Sequence, residues 1–278
     1  MVIRGRLLLV GTILVVGGLA SGCQYGFQAQ ANQATDDTAL HQTISGVHLA
    51  NGSGDVSIQV GSTASVHRVV HYNGSTKPGP STTIATGVLT LNDCGTDCTV
   101  DYVVTLPANA KIDGSTSSGD ITVSGAASVN VESSSGNVSV VGVAGPVSVT
   151  TTSGDIKAAG SGADVQAHSS SGDITLSGVA GSATVQSTSG RIVADGLKGA
   201  RTSAHATSGD ISVSADVAQN LDLQASSGNV TITVPSGSYR VSTTTGSGDR
   251  KVGIGDDPNA QFSITAETTS GDVQISAK

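Results

Sequence analysis

One acidic side chain returns at a fixed place along this 278-residue chain. "TSSGDITVSG" (Thr116–Gly125) is followed by "SSSGNVSVVG", "TTSGDIKAAG", "SSSGDITLSG", "TSGRIVADG", "ATSGDISVS", "ASSGNVTITV" and "TTSGDVQIS". A row of carboxylates in register could hold a ladder of cations, supply a catalytic acid, or only shape a turn. Calcium merits a test first, because nine-residue repeats carrying Gly-x-Asp bind Ca²⁺ in some parallel β-rolls. Here only one corner per unit carries the acid, and Asn137, Asn229 and Arg191 replace it. Arg191 would oppose a cation between Asp173 and Asp210. A turn tolerates Asn well: Gly supplies positive φ, and Asp or Asn hydrogen-bonds its own turn. The turn is therefore the reading, with a calcium-stabilised β-roll binding module as an alternative and no cofactor or metal assigned.

Other reactive side chains are sparse. His67 and His71 in "VHRVVHY" could share a strand face with Val69, but no third ligand is identifiable, so exposed strand histidines are expected. His168 and His205 occupy the same repeat position two units apart, on the outer face. A carbohydrate-active β-helix enzyme would need sugar platforms and clustered catalytic carboxylates or bases. Trp is absent, aromatics are 2%, and Tyr102 and Tyr239 define no subsite. An ice-binding face would need a regular Thr ladder. The pairs Asn130/Glu132, Ser148/Thr150, Gln166/His168, Thr184/Gln186 and Ser203/His205 are polar but irregular. No catalytic residue is assigned, and the chain is read as a non-enzyme.

The elements that position these residues follow from the repeat. Its anchors are the glycines Gly54, Gly119, Gly136, Gly154, Gly172, Gly190, Gly209, Gly228, Gly248 and Gly271, spaced 17 to 23 residues apart from Gly119 onward. Positions −7, −5, +2 and +4 from each anchor are aliphatic in nearly every copy; Gly114, Thr202, Thr243 and Arg250 are the exceptions. Each offset pair has period 2, so every unit holds two short half-buried strands. One unit cannot stand alone. Four buried aliphatics contribute roughly 6–12 kcal/mol, whereas ordering about 18 residues costs roughly 1–2 kcal/mol each. Units must therefore stack. The predicted fold is all-β: a single-stranded parallel β-solenoid of about nine two-strand rungs, with a Greek-key sandwich as runner-up. Length is fixed between −7 and +4. All insertion falls at the opposite corner, longest at "GIGDDPNAQFS" (Gly253–Ser263), and variable loops on a rigid scaffold are where binding is expected.

The N-terminus reads differently. "MVIRGRLLLVGTILVVGGLASGC" has a basic start, a short apolar run and small residues before Cys23, the pattern of a lipoprotein signal peptide. Cleavage would leave Cys23 acylated, with 1–22 removed, a flexible tether at 23–41, a β cap region at 42–110 and solenoid repeats at 111–278. The formal charge is −8, and the leader would remove two bases but no acid. That balance argues against nucleic acid as a partner. Within the cap, "ATGVLTL" and "TVDYVVTLP" flank "NDCGTDC" and predict an antiparallel hairpin tipped by Cys94 and Cys98. In an exported protein a disulfide between them is expected, with free thiols or a metal pair as alternatives.

"VDYVVTLPANAKIDGSTSSGDITVSG", followed by serial "SGD[IV]" units, resembles the toastrack family of adhesin-like β-strand repeat domains over roughly Ile44–Lys278. The Cys94/Cys98 tip departs from that pattern. The resemblance implies a β-solenoid on bacterial envelope proteins, some tied to envelope stress, and no catalytic residues. The expectation is a non-enzymatic protein anchored by lipid to the outer side of the cell membrane. It would serve adhesion or envelope-stress sensing, with an envelope protein or glycan as ligand.

Overall fold

The computed structural model describes residues 32–107 and 110–278. The lipidation position Cys23 and the leader lie outside them. The described residues form 25 strands in two sheets, of 13 (sheet A) and 12 (sheet B) strands. Each rung contributes one strand to each sheet, and the Ser-Gly corner joins them. Strands of successive rungs pair in parallel, in unbroken register: Val129 opposite Val147, then Val165, then Ala183 in sheet B, and Val138 opposite Ile156, then Ile174, then Ile192 in sheet A. With strands ~4.8 Å apart, the thirteen of sheet A make a rod roughly 55–60 Å long. The four aliphatic columns face each other across the rod and form one continuous core.

A fifth inward column, three residues before each Gly, escaped the aliphatic pattern. Thr116, Ser133, Thr151, Ser169, Ser187 and Thr268 are buried there. Thr151 and Thr268 donate to the carbonyls of Gly154 and Gly228 at 3.2 and 2.9 Å. The second corner is also more regular than expected. Gly125, Gly142, Gly160, Gly178 and Gly196 turn it with φ of 62–74°, and Val143, Val179 and Leu197 beside them are buried.

The corner Asp does something other than close its own turn. Its carboxylate accepts from the backbone N–H of the equivalent residue in the next rung. Asn137 N–H donates to Asp120, Asp155 N–H to Asn137, Asp173 N–H to Asp155, and Arg191 N–H to Asp173, at 2.7–2.9 Å. Asn serves because its Oδ1 is also an acceptor. Arg has none, so the ladder skips Asp210 and resumes where Asn229 N–H meets Asp210 at 2.8 Å.

Both ends of the rod are threaded out of sequence. The last rung of the chain, at Gly271, lies between those at Gly228 and Gly248. The Gly248 rung is thus outermost, which accounts for two polar exceptions. Thr243 and Arg250 sit at inward columns of an open end, where the Arg250 guanidinium donates to the Thr243 carbonyl at 3.3 Å. An inward charge at an edge opposes further pairing. The long Gly253–Ser263 segment is spent on the return crossover and on covering that edge: Asp257 N–H donates to Tyr239 O, and Val241 N–H to Asp256 Oδ1. Of the other exceptions, buried Thr202 donates to buried Gln219 at 2.8 Å. Gly114 leaves room for the neighbouring backbone, since a Cβ there would lie 2.2 Å from Leu49 O.

At the opposite end the expected "ATGVLTL"/"TVDYVVTLP" hairpin is corrected. Val88–Asn92 joins sheet B and Cys98–Leu106 joins sheet A, so the two form an additional rung beyond Gly54. Leu89, Leu91, Val100, Tyr102 and Val104 all face the shared core, which one two-stranded sheet would not allow. The five-residue link is an enlarged corner closed by the Cys94–Cys98 disulfide. The hairpin cap lies instead at Thr82–Ala85 with Val88–Asn92, turned at Thr86 and Gly87. Two antiparallel strands complete the cap: Ser65–Tyr72 pairs with Cys98–Leu106, and Asn32–Ala39 with Ser65–Tyr72. The tether expected at 23–41 is therefore a strand from Asn32. It lacks alternation because it is an exposed edge, held by backbone pairing and by Asp36. The Asp36 carboxylate takes both Arg68 (2.6 Å) and Lys77 (2.5 Å). The Arg68 side chain is only 8% exposed and also donates to Gly79 O and Ser81 Oγ.

Hydrogen bonds from Lys77 and then Arg68 hold the Asp36 carboxyl below its ordinary value of 3.8. Its contribution is therefore present above the ordinary carboxylate range and is lost as pH falls through the lowered value. Asp36→Asn should speed amide exchange over 32–39 by about tenfold, equivalent to ~1.4 kcal/mol, leaving the Gly136–Gly228 rungs unchanged. Acidification of the parent chain should open the same strand. Uniform loosening of the rod would contradict this. Arg191→Asn should restore the missing acceptor for Asp210, adding about 1 kcal/mol and raising Tm by roughly 2–4 °C; an unchanged or lower Tm would show that the ladder does not stabilise.

Candidate functional site

Along each strand of a sheet, side chains alternate between core and solvent. Columns −7, −5 and −3 of sheet B point inward, so −6, −4 and −2 point out. Parallel registered stacking lines each outward column up across the rungs. Column −4 reads Thr150, His168, Gln186, His205, Gln224, Glu267 and Thr244 in spatial order. Column −2 beside it is Thr188, Thr207, Ser226 and Thr269 over four of those rungs. From His168 onward these side chains line an open depression of about 550 Å³ crossing the strands from Val165–Ser171 to Tyr239–Ser247. Two smaller depressions lie beyond it toward the base of the rod. One, of about 190 Å³, is lined by Ser148, Thr150, Gln166 and Thr184. The next, of about 290 Å³, is lined by Ser128, Asn130, Pro146 and Asp164. All three lie on the same sheet face but step across it: the last sits over positions −8 and −6, the middle one over −6 and −4, and the main depression over −4 and −2.

The main depression is a groove lined by hydrogen-bonding groups. Glu267 is the only carboxylate lining the main depression. Ser203 Oγ lies 3.0 Å from His205 Nε2, and His168 Nδ1 is shielded from water without a hydrogen-bond partner. His168 and His205 are separated by the strand bearing Gln186, about 9–10 Å at ordinary strand spacing. Neither forms an acid–base pair with the other.

The remaining residues marked out in the sequence are dispersed. The corner glycines Gly54, Gly119, Gly136, Gly154, Gly172, Gly190, Gly209, Gly228, Gly248 and Gly271 all have φ between 108° and 151°. Cys94 and Cys98 are bonded to each other, so neither is a free thiol. His67 contacts Asp37 at 2.7 Å, and His71 contacts Asp101 at 3.6 Å. Among the described residues no group of three or more His, Cys, Asp or Glu is placed to hold a metal ion. Tyr102 and Tyr239 are buried in rungs at opposite ends of the core. The Tyr102 hydroxyl donates to Asn92 O at 2.7 Å and Tyr239 to Pro235 O at 3.0 Å. Burial raises the pKa of both phenols. The groove itself was not singled out in the sequence. The available signal was the collection of His, Gln and Glu in column −4, between columns dominated by Ser and Thr.

A family profile described as Toastrack DUF4097 matches residues 36–179 and again 100–276. Solved structures similar to this chain include an adhesin candidate from Bacteroides fragilis, 14% identical, covering 91% of this chain and 100% of that one, with a TM-score of 0.44. An adhesin candidate from Parabacteroides merdae is also 14% identical, over 90% and 98%, with a TM-score of 0.37. A lipid-binding candidate from Parabacteroides distasonis is 12% identical, over 90% and 98%, with a TM-score of 0.42. No curated protein matches the chain.

Groove residues should be dispensable for folding, because column −4 also holds Ala50, Ser115 and Glu132 in other rungs. Gln186→Ala and Gln224→Ala are each expected to change stability by no more than about 0.5 kcal/mol. A larger loss in thermal unfolding would make the column a structural element.

Proposed function

The chain belongs to the Toastrack DUF4097 family, and on that premise we propose that it is a non-catalytic, lipid-anchored scaffold that displays a binding face at the cell surface. The observation that carries this reading is the open depression lined by His, Gln, Glu, Ser and Thr that crosses six registered strands on one face of a rod-shaped, hydrogen-bonded core. Regularly stacked parallel strands present side chains at fixed spacing and need no rearrangement to bind, which keeps the entropic cost of association low.

The position of the first strand supports the orientation. Asn32–Ala39 is the edge of sheet A at one end of the rod. Cys23 lies nine residues earlier, within roughly 30 Å of extended chain. Acylation there would tie this end to the membrane. The 550 Å³ depression lies toward the other end of the rod, which would hold it clear of the bilayer. The Asp36–Arg68–Lys77 cluster would then fasten the anchored strand to the rod.

Cys23→Ala should move the protein from the membrane fraction to the soluble exported fraction. Continued incorporation of labelled lipid by this variant would overturn the anchor. Beads coated with the full chain should be retained on intact bacterial envelopes; retention no better than that of uncoated beads would overturn the binding role.

A further inference from the structure

We propose that the sheet B groove binds a linear, uncharged polysaccharide laid along the rod axis, about one sugar ring per strand. This rests on the binding-face reading above and adds the ligand class and its direction.

Spacing selects the polymer. Along the rod the groove repeats once per strand, about every 4.8 Å, whereas an extended polypeptide advances only ~3.3 Å per residue. The residues on one face of an extended peptide recur about every 6.6 Å, so they do not fall on successive rungs. A pyranose linked through opposite sides of its ring advances by about one strand spacing, so each ring meets one rung. Successive rings of such a chain are turned over relative to each other, and the column alternates likewise: His168, Gln186, His205 and Gln224 occupy consecutive rungs, so like side chains recur at every second ring.

The side chains fit the same class. Each sugar hydroxyl both donates and accepts. Gln186 and Gln224 offer an amide oxygen and an amide NH₂, Thr188, Thr207, Ser226 and Thr269 offer hydroxyls, and each His offers the ring nitrogen left open, since His205 Nε2 is taken by Ser203 and His168 Nδ1 is shielded. No Lys or Arg lines the main depression, and the chain as a whole carries −8, which opposes polyanionic chains. Aromatic platforms are absent from the lining, so each ring would be held weakly by hydrogen bonds exchanged with water. Affinity must then come from several rungs engaged at once, and length dependence becomes the signature.

The test is calorimetric titration of the full chain in detergent with cello- and chito-oligosaccharides of two to six rings. At least one series should bind, with the association constant rising about tenfold or more from two rings to six. The double variant Gln186→Ala/Gln224→Ala should lose about tenfold in affinity for the hexamer, while Thr122→Ala, on the outer face of sheet A, should lose none. Absence of hexamer binding at millimolar concentration, affinity independent of length, equal binding by the double variant, or preferential binding of an extended peptide would each overturn the proposal. If bead retention on envelopes persists while the oligosaccharides fail, the sugar assignment falls and the binding-face reading stands; if both fail, both fall.

Discussion

The close approach of one rung's corner to the next is the constraint on which the rest of the structure depends. A Cβ on Gly136 would lie 2.1 Å from the carbonyl oxygen of Gly119, and one on Gly172 equally close to that of Gly154. No side chain fits there, and the positive φ at these positions disfavours one independently. Because the corners nest, the strands on both sides stay at hydrogen-bonding distance and in register. Gly136 N–H reaches Ser153 O at 3.0 Å, and Val138 N–H reaches Asp155 O at 2.9 Å. The Asp/Asn ladder on the outside, and Thr151, Ser169, Ser187 and Thr268 on the inside, satisfy polar groups that the tight corner would otherwise strand, whereas the Thr116 and Ser133 hydroxyls in the same column are buried without a partner.

Register then determines what each face can do. Inward columns carry Val, Ile, Leu and Ala with little variation, since a rung shared between two neighbours must fill the same cross-section. Outward columns are free of that demand. On sheet B they collect the His, Gln, Glu, Ser and Thr side chains of the groove at a spacing set by the backbone. The corner acids were the more conspicuous chemical feature, yet one oxygen of each inner corner acid is engaged between rungs. The less regular column, four residues before each glycine, faces the open depression.

A stack of parallel strands must end somewhere, and its ends are where this chain departs from its own repeat. At one end a disulfide-closed corner, a buried Tyr102 and two antiparallel strands finish the rod. At the other, Tyr239, Arg250 and the Gly253–Ser263 segment do so. In both cases the chain passes to the outermost rung and then returns to an inner one, so neither outermost rung is the first or last in sequence.

The repeating interior was legible in the sequence. Period-2 aliphatic pairs at fixed offsets from a recurrent Ser-Gly required two short strands per unit, and the unfavourable balance for a single unit required stacking. That information is local, repeated and redundant, so a single exception such as Thr202 did not obscure it. The strand at Asn32–Ala39, the rung formed by Val88–Asn92 and Cys98–Leu106, and the insertion of the Gly271 rung inside the Gly248 rung were decided only by tertiary structure. Each depends on one unrepeated long-range partner: Asp36 with Arg68, Val56 opposite Tyr102, Leu221 opposite Ile264. The groove belongs to the same class. Its residues are separated by 18 or more positions, and they become neighbours only when parallel pairing brings equivalent positions of successive rungs to within one strand spacing.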